Sequence, residues 1–345
     1  MQRLNRRLGA IAWCCLCMAA PAHAAQNIVT GTDAAGGGPS SQVKRFDTPS
    51  LVETASFFPF PGFAGGARVA FNDVTGDAVD DFVVGTGPGV PAEVRVFDGV
   101  TLSIVRDFLP YGAGFTGGVF VAAADFNADG KADIITGTDS GVAANVKVFD
   151  SVSLGVLHNF LPFGAFTGGA RVAAGLVNAG GTPDIVVGAG PGGSPQVIVF
   201  DGVNLSTIHS FLAYAAGFTG GVYVAAGDID SDGRADIITG AGSGGTPQVK
   251  AFSGANLVVL ANFLAFAPGF TGGVRVAAGR VNADLVPDFV VGTGPGGAEV
   301  RAFDGQTQAQ LHDFLPYGAV TPGVFVAAPP TQGVVPVRLL DFVVD

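Results

Sequence analysis

The sequence predicts an all-β fold, a six-bladed β-propeller closed by N- and C-terminal half-blades, and three observations predict it. A segment of the form Phe-Thr-Gly-Gly-Val-x-Val-Ala-Ala starts at Phe115, Phe166, Phe218 and Phe270, with a variant at Phe63 and a remnant at Thr321. The successive phenylalanines lie 52, 51, 52 and 52 residues apart. Within each period, short runs rich in Val, Ile and Phe alternate with Gly, Pro and Asp turns, the pattern of strands too short to stand alone. Four such strands per unit of about 50 residues describe a propeller blade. A nonapeptide calcium roll would need a nine-residue period, which is absent.

Taken in chain order, the first 24 residues stand apart. Arg3, Arg6 and Arg7 make a basic start, "LGAIAWCCLCMAA" an apolar middle, and Ala22-His23-Ala24 a cleavage pattern. Together they read as a secretory signal peptide. All three cysteines (Cys14, Cys15, Cys17) fall inside it, so the expected mature chain has neither disulfides nor thiol chemistry. That chain, residues 25–345, is expected to be exported, either secreted or periplasmic. Three of the 17 basic residues belong to the leader, which leaves 14 against 28 acidic ones, a net charge near −14. Such a surface argues against nucleic acid and anionic membranes and suits divalent cations. No later run reaches the ~18 apolar residues of a spanning helix. The strands are also about half the ~9–11 residues of an outer-membrane barrel strand. No membrane insertion is expected.

Each repeat is expected to hold four strands. In the repeat at Phe115 they are "VFVAA", "DIITG", "VKVFD" and "VLHNFLPF". Blades are expected at about 63–114, 115–165, 166–217, 218–269 and 270–319, with 320–345 joining 26–62 to close the ring. The first-strand motif begins at Ala67, Val119, Ala170, Val222, Val274 and Val324, and the third-strand motif also occurs six times, from Val43 to Val300. In this reading 26–62 carries outer strands and 320–345 inner ones. The second strand occurs seven times, because "IVTG" at 28 and "FVVD" at 342 both fit the closing blade; the sequence leaves the two open.

A second pattern supports six. The residue after the first position of the first strand reads Arg68, Phe120, Arg171, Tyr223, Arg275, Phe325. Arg blades carry "VVG" in the second strand (Val83, Val186, Val290). The aromatic blades carry "IITG" (Ile134, Ile237) and a lysine in the third strand (Lys147, Lys250); Lys44 and Phe325 mark the two terminal halves as one blade of this type. The alternation suits cation–π packing between neighbouring blades. It also suits an axial pocket in which the three arginines meet an anion.

The loop after the first strand has the form D-x-N-x-D-G-x-x-D in blade two: Asp125, Asn127, Asp129, Gly130 and Asp133, with the Lys131 carbonyl as a further donor. Alternate positions on a tight turn aim oxygens at one centre, the hard-oxygen shell that Ca²⁺ requires. The loop departs from an EF-hand in closing with Asp at position nine. Blade four is complete, with Asp228, Asp230, Asp232, Gly233, the Arg234 carbonyl and Asp236. Asp73, Thr75, Asp77 and Asp81 form a weaker set in blade one, where Ala78 replaces the glycine. Blade three lacks two carboxylates, and in blade five Arg280 takes position one, where its cation could replace a metal. The alternative is a solvated turn whose Asp and Asn cap their own backbone.

Loop, glycine motifs and period together resemble the FG-GAP or VCBS repeats, the blades of integrin-α-type β-propellers. "FTGG" stands where that family has its Phe-Gly element, and "GAGPGG" at 188–193 resembles its Gly-Ala-Pro element. The resemblance covers 26–345. It implies calcium loops between the first two strands of a blade, on one face of the ring, and a non-enzymatic recognition or adhesion role. The expected partner is an extracellular or periplasmic protein or glycan, and the expected state is a monomer.

Other motifs point elsewhere and are weighed against this. "GAGPGG" at 188, "GAGSGG" at 240 and "GTGPGG" at 292 satisfy G-x-G-x-x-G, but a strand rather than a helix follows each, which a nucleotide site does not allow. His158, His209 and His312 share one outer-strand position and are expected on the surface, far apart around the ring. Tyr111, Tyr214 and Tyr317, with Phe163 and Phe266, end the fourth strand. They either fill gaps between blades or offer a sugar-stacking platform. A carbohydrate-binding protein using those aromatics is the second reading. An enzyme acting on polysaccharide through the axial arginines is the third.

Overall fold

The computed structural model describes residues 26–34 and 41–330. The leader at 1–24 and the "FVVD" copy at 342–345 lie outside the described residues. Twenty-four strands form six four-stranded antiparallel sheets, and no helix occurs among the described residues. Blade two shows the plan. Val119–Ala124, Asp133–Thr138, Val146–Phe149 and Val156–Phe160 hydrogen-bond in chain order.

Five sheets follow that order. The sixth takes its innermost strand from Val324–Ala327 and its other three from Asn27–Thr32, Val43–Asp47 and Val52–Phe57. Val29 faces Ala327 and Thr32 faces Val324, so "IVTG" pairs in the closing blade. The expectation of several inner strands from the C-terminal segment is corrected: among the described residues it supplies one. The chain closes its own ring through this mixed blade, and each sheet keeps only short edges at its innermost and outermost strands.

Every second strand is buried along its whole length in all six blades. A strand covered on both faces cannot alternate polar and apolar residues, which is why these read as near-continuous Val, Ile and Phe. The glycine that ends the "VVG" and "ITG" runs is set by the neighbouring blade. A Cβ on Gly240 would stand inside 3.0 Å of the Val274 carbonyl, and each equivalent glycine meets the first strand of the next blade in the same way.

A register shift between the third and fourth strands recurs in each blade, for example between Val148 and Phe149. It marks a bulge, which bends and twists the outer strand. Beside it, one Phe of the fourth strand meets one Phe of the next blade's third strand. The six pairs have centroids 4.8–5.0 Å apart, from Phe57–Phe97 round to Phe314–Phe46. The fourth strand is shorter than the sequence suggests. It stops at Phe108, Phe160 and Phe314 where Leu-Pro follows. It runs to Leu212 and Leu264 where Ala replaces Pro, and the Ala213 and Ala265 N–H groups donate to Pro195 and Pro247 carbonyls (both 2.9 Å). Proline has no such donor.

Candidate metal loops and the axial arginine ring

The acidic loops all join a first strand to a second and therefore share one face of the ring. In blade two, Asp125 accepts from the N–H groups of Asp129 (3.3 Å) and Gly130 (3.0 Å). Asn127 Oδ1 accepts from Asp129 N–H (3.0 Å), and Asp129 from Lys131 N–H (2.9 Å). Blade four repeats the set with Asp228, Asp230 and Asp232 accepting from Asp232, Gly233 and Arg234. Left-handed residues at positions four and six make the reversal: Ala128 and Gly130, Ser231 and Gly233. Blade one has the same backbone, with Gly76 and Ala78 left-handed, and Asp73 holds the N–H groups of Asp77 and Ala78. Ala78 accepts the glycine conformation at a cost of roughly 1–2 kcal/mol.

The position-nine aspartates serve a second purpose. Asp81, Asp133, Asp184, Asp236 and Asp288 are wholly buried. One oxygen of each accepts from its own acidic loop, at Val74, Phe126, Val177, Ile229 and Val281. The other accepts from the turn after the third strand, at Gly99, Ser151, Gly202, Gly254 and Gly305. The pin is present whether or not the rest of the loop is complete. Burial pushes the Asp133, Asp236 and Asp288 carboxyls up to about 6, and those of Asp81 and Asp184 above the usual range, against the opposing pull of the N–H donors.

Asp228, Asp230 and Asp232 bring carboxylate oxygens within 4.8 Å of one another, a group that could hold a metal ion. Three hard anionic donors on a tight turn, with the Arg234 carbonyl following, fit a calcium ion by donor chemistry. In blade two the middle ligand is neutral, and Asn127 Nδ2 donates to Asp150 (2.8 Å).

Blade five holds a trio that the sequence reading passed over: Asp284, Asp288 and Asp304. Arg280, expected to act as a cation there, makes no ion pair among the described residues. The Asn282 amide instead donates to Asp288 (3.3 Å) and Asp304 (3.1 Å), and Asn178 does the same in blade three to Asp184 and Asp201 (both 3.0 Å). Asp304 was visible in the sequence only as the start of a "DG" turn.

On the axis, the alternating residues of the first strands form one closed ring. Arg68 stacks on Phe120 (4.3 Å), Arg171 on Tyr223 (4.1 Å) and Arg275 on Phe325 (4.7 Å), and each also reaches a second aromatic ring at 5.4–5.7 Å. The three aromatic centroids are 6.3–6.4 Å apart. Cation–π packing between blades is therefore realised. The first strands enclose a cavity of about 60 Å³ lined by these six residues and the valines that follow them.

The remaining aromatics are not a platform. The hydroxyls of Tyr111, Tyr214 and Tyr317 meet Thr136 (3.0 Å), Thr239 (3.2 Å) and Thr30 (2.9 Å) of the next blade. Burial holds all three phenols well above their usual range. Lys147, Lys250 and Lys44 lie over the same rings at 5.1–5.5 Å. The histidines are half-buried rather than on the surface. His158 and His209 each bond a carbonyl in the next blade's turn, Gly202 (2.8 Å) and Gly254 (2.7 Å). The G-x-G-x-x-G segments lead into strands, as expected.

Fold and loops define a six-bladed β-propeller with acidic turns gathered on one face. A family model, the FG-GAP repeat, matches residues 213–256, so the resemblance read from the motifs is found in this chain. The matched stretch runs from the end of blade three to the third strand of blade four and includes the complete Asp228–Asp236 loop. Among solved structures, one described as "Structure of Dos1 propeller" is similar at 11% identity, with a TM-score of 0.45, over 81% of this chain and 67% of that one.

Proposed function

We propose that this chain is an exported, calcium-stabilised β-propeller acting as a non-enzymatic recognition or adhesion module. One observation carries the calcium reading: the Asp228, Asp230 and Asp232 carboxylates converge on a loop whose backbone is wound as it is in blades one and two. Calcium would be held there by those carboxylates, the Arg234 carbonyl and Asp236, and in blade two by Asp125, Asn127, Asp129, the Lys131 carbonyl and Asp133. It would neutralise like charges that otherwise repel by a few kcal/mol per pair at an effective dielectric near ~20. The recognition reading rests on the matched FG-GAP repeat and on a ring whose loops are presented from interlocked blades. The carbohydrate reading loses its support, because Tyr111, Tyr214 and Tyr317 are spent between blades.

Thermal unfolding of residues 25–345 with calcium and with chelator, beside Asp129→Ala/Asp232→Ala, tests the proposal. Extracellular sites bind at roughly 10⁻⁴–10⁻³ M, so 5 mM calcium should add about 1–2 kcal/mol per site. The double variant should lose most of that gain. An identical wild-type transition in both buffers would refute calcium binding.

A further inference from the structure

The axial ring is three-fold in pattern but not in charge. Arg68 donates through one terminal nitrogen to the Thr86 carbonyl (2.9 Å) and through the other to the Asp139 carboxylate of the next blade. Arg275 repeats this with the Thr293 carbonyl (3.0 Å) and Asp33. Arg171 has the carbonyl, Ala189 (3.1 Å), but no carboxylate among the described residues. The position equivalent to Asp33 and Asp139 is Gly242. No side chain can be added there, since a Cβ would fall inside 3.0 Å of the Gly220 and Gly221 carbonyls.

Arg171 is only 7% exposed and lines the axial cavity; its Nε, like those of Arg68 and Arg275, has no hydrogen-bond partner among the described residues, and the missing carboxylate is what sets it apart. A guanidinium stays charged at all working pH values. Among the described residues three guanidinium groups face two carboxylates, so one positive charge is left in a buried ring. The stacked faces of Phe120 and Tyr223 ease that charge but cannot cancel it. A buried charge without a counter-charge is destabilising.

We propose that Arg171 seats, in the axial cavity it lines, the carboxylate of a small monocarboxylate ligand, which supplies the counter-charge that Asp139 and Asp33 give the other two arginines. The ring needs one negative charge, which sets the ligand's charge at −1. The planar, two-pronged guanidinium matches a carboxylate. A cavity of about 60 Å³ holds roughly four or five water-sized volumes, enough for the four heavy atoms of acetate and too little for a sugar acid. The seat lies at the end of the ring away from the acidic loops, because Arg171 pairs with Gly188 near the end of the second strand. It does not depend on calcium.

Saturation-transfer NMR on the acetate methyl group, with metal-free protein and chelator present, tests the seat. The wild type should show transfer. Arg171→Met, which keeps the stem packed on Tyr223, should weaken acetate binding at least ten-fold. Asp139→Ala leaves Arg68, which lines the same cavity, without its carboxylate; it should bind acetate more tightly than the wild type and recover lost thermal stability as acetate is added. No transfer in the wild type, or equal transfer in Arg171→Met, overturns the proposal. If Arg171→Met does not fold, Arg171→Lys decides, since it keeps the charge without the fork. Its acetate affinity should fall several-fold, and an unchanged affinity overturns the seat.

Discussion

Thr30, Thr136 and Thr239 occupy the second-strand position that Val84, Val187 and Val291 occupy in the alternate blades, and the ring from the preceding blade explains the difference. Where that ring is Tyr, its hydroxyl meets the Thr hydroxyl; where it is Phe, a valine suffices. Each hydroxyl keeps a backbone acceptor when its partner is removed, the Gln248 carbonyl for Tyr214 (3.0 Å) and the Lys250 carbonyl for Thr239 (3.4 Å), so losing the partner costs only the ~0.5–1.5 kcal/mol of one hydrogen bond. Tyr214→Phe and Thr239→Val should therefore each destabilise by about 1 kcal/mol, and the double variant by clearly less than their sum. Urea unfolding of the four proteins measures that coupling; strict additivity would show that the hydroxyls do not interact. Gly240→Ala gives a sharper residue-scale outcome. The added methyl collides with the Val274 carbonyl, so a loss above about 3 kcal/mol or failure to fold is expected. Gly217→Ala, with open space around it, should be near neutral.

At the scale of the loop, burial and charge set a pH dependence whose sign can be worked out. Asp133, Asp236 and Asp288 titrate near 6 when folded, against 3.8 ordinarily. Between those values the folded chain holds more protons than the unfolded one, so stability falls as pH rises through the window. Asp98, Asp150, Asp201 and Asp304 are shifted down, and their contribution is lost only below the ordinary carboxylate value, outside that window. His312, held below its ordinary 6.5 by burial, acts the other way inside the window, but it is one group against three, so metal-free protein should melt at higher temperature at pH 5 than at pH 7. Saturating calcium should flatten or reverse that slope, because the ion competes with the protons. Melting curves across pH 5–7 at fixed ionic strength provide the measurement, and a metal-free midpoint that rises with pH would contradict the burial argument.

For the molecule as a whole, the closing interface is built from the same parts as the others. Phe46 meets Phe314 at 5.0 Å across the two ends of the chain, just as Phe252 meets Phe211 at 4.8 Å inside it. Phe46 and Phe252 are almost equally buried, at 6% and 7%. An open solenoid would fray from its ends, so a terminal defect would cost little. In a closed ring, Phe46→Ala and Phe252→Ala should each cost about 3–5 kcal/mol in one cooperative transition. A separate early transition in Phe46→Ala alone would mean that the ring opens at its closure before it unfolds.

The sequence by itself determined the blade count, the strand starts and the acidic loops, because each depends on local spacing. Ala67, Val119, Ala170, Val222, Val274 and Val324, read from the repeat, are the first residues of the six innermost strands. The Arg–aromatic alternation was equally legible, since it recurs at one repeat position. Only the tertiary structure decided which residues answer one another across blades. It chose "IVTG" over "FVVD" for the closing blade and joined each Tyr to its Thr and Lys. It also set Asp304 beside Asp284 and Asp288, and gave Asp139 and Asp33 to two arginines while leaving Arg171 without a carboxylate among the described residues. A 52-residue period states what each blade contains, but contacts between blades are set by side chains from different repeats meeting in space. A missing partner, such as the one opposite Gly242, becomes visible only when the ring is closed.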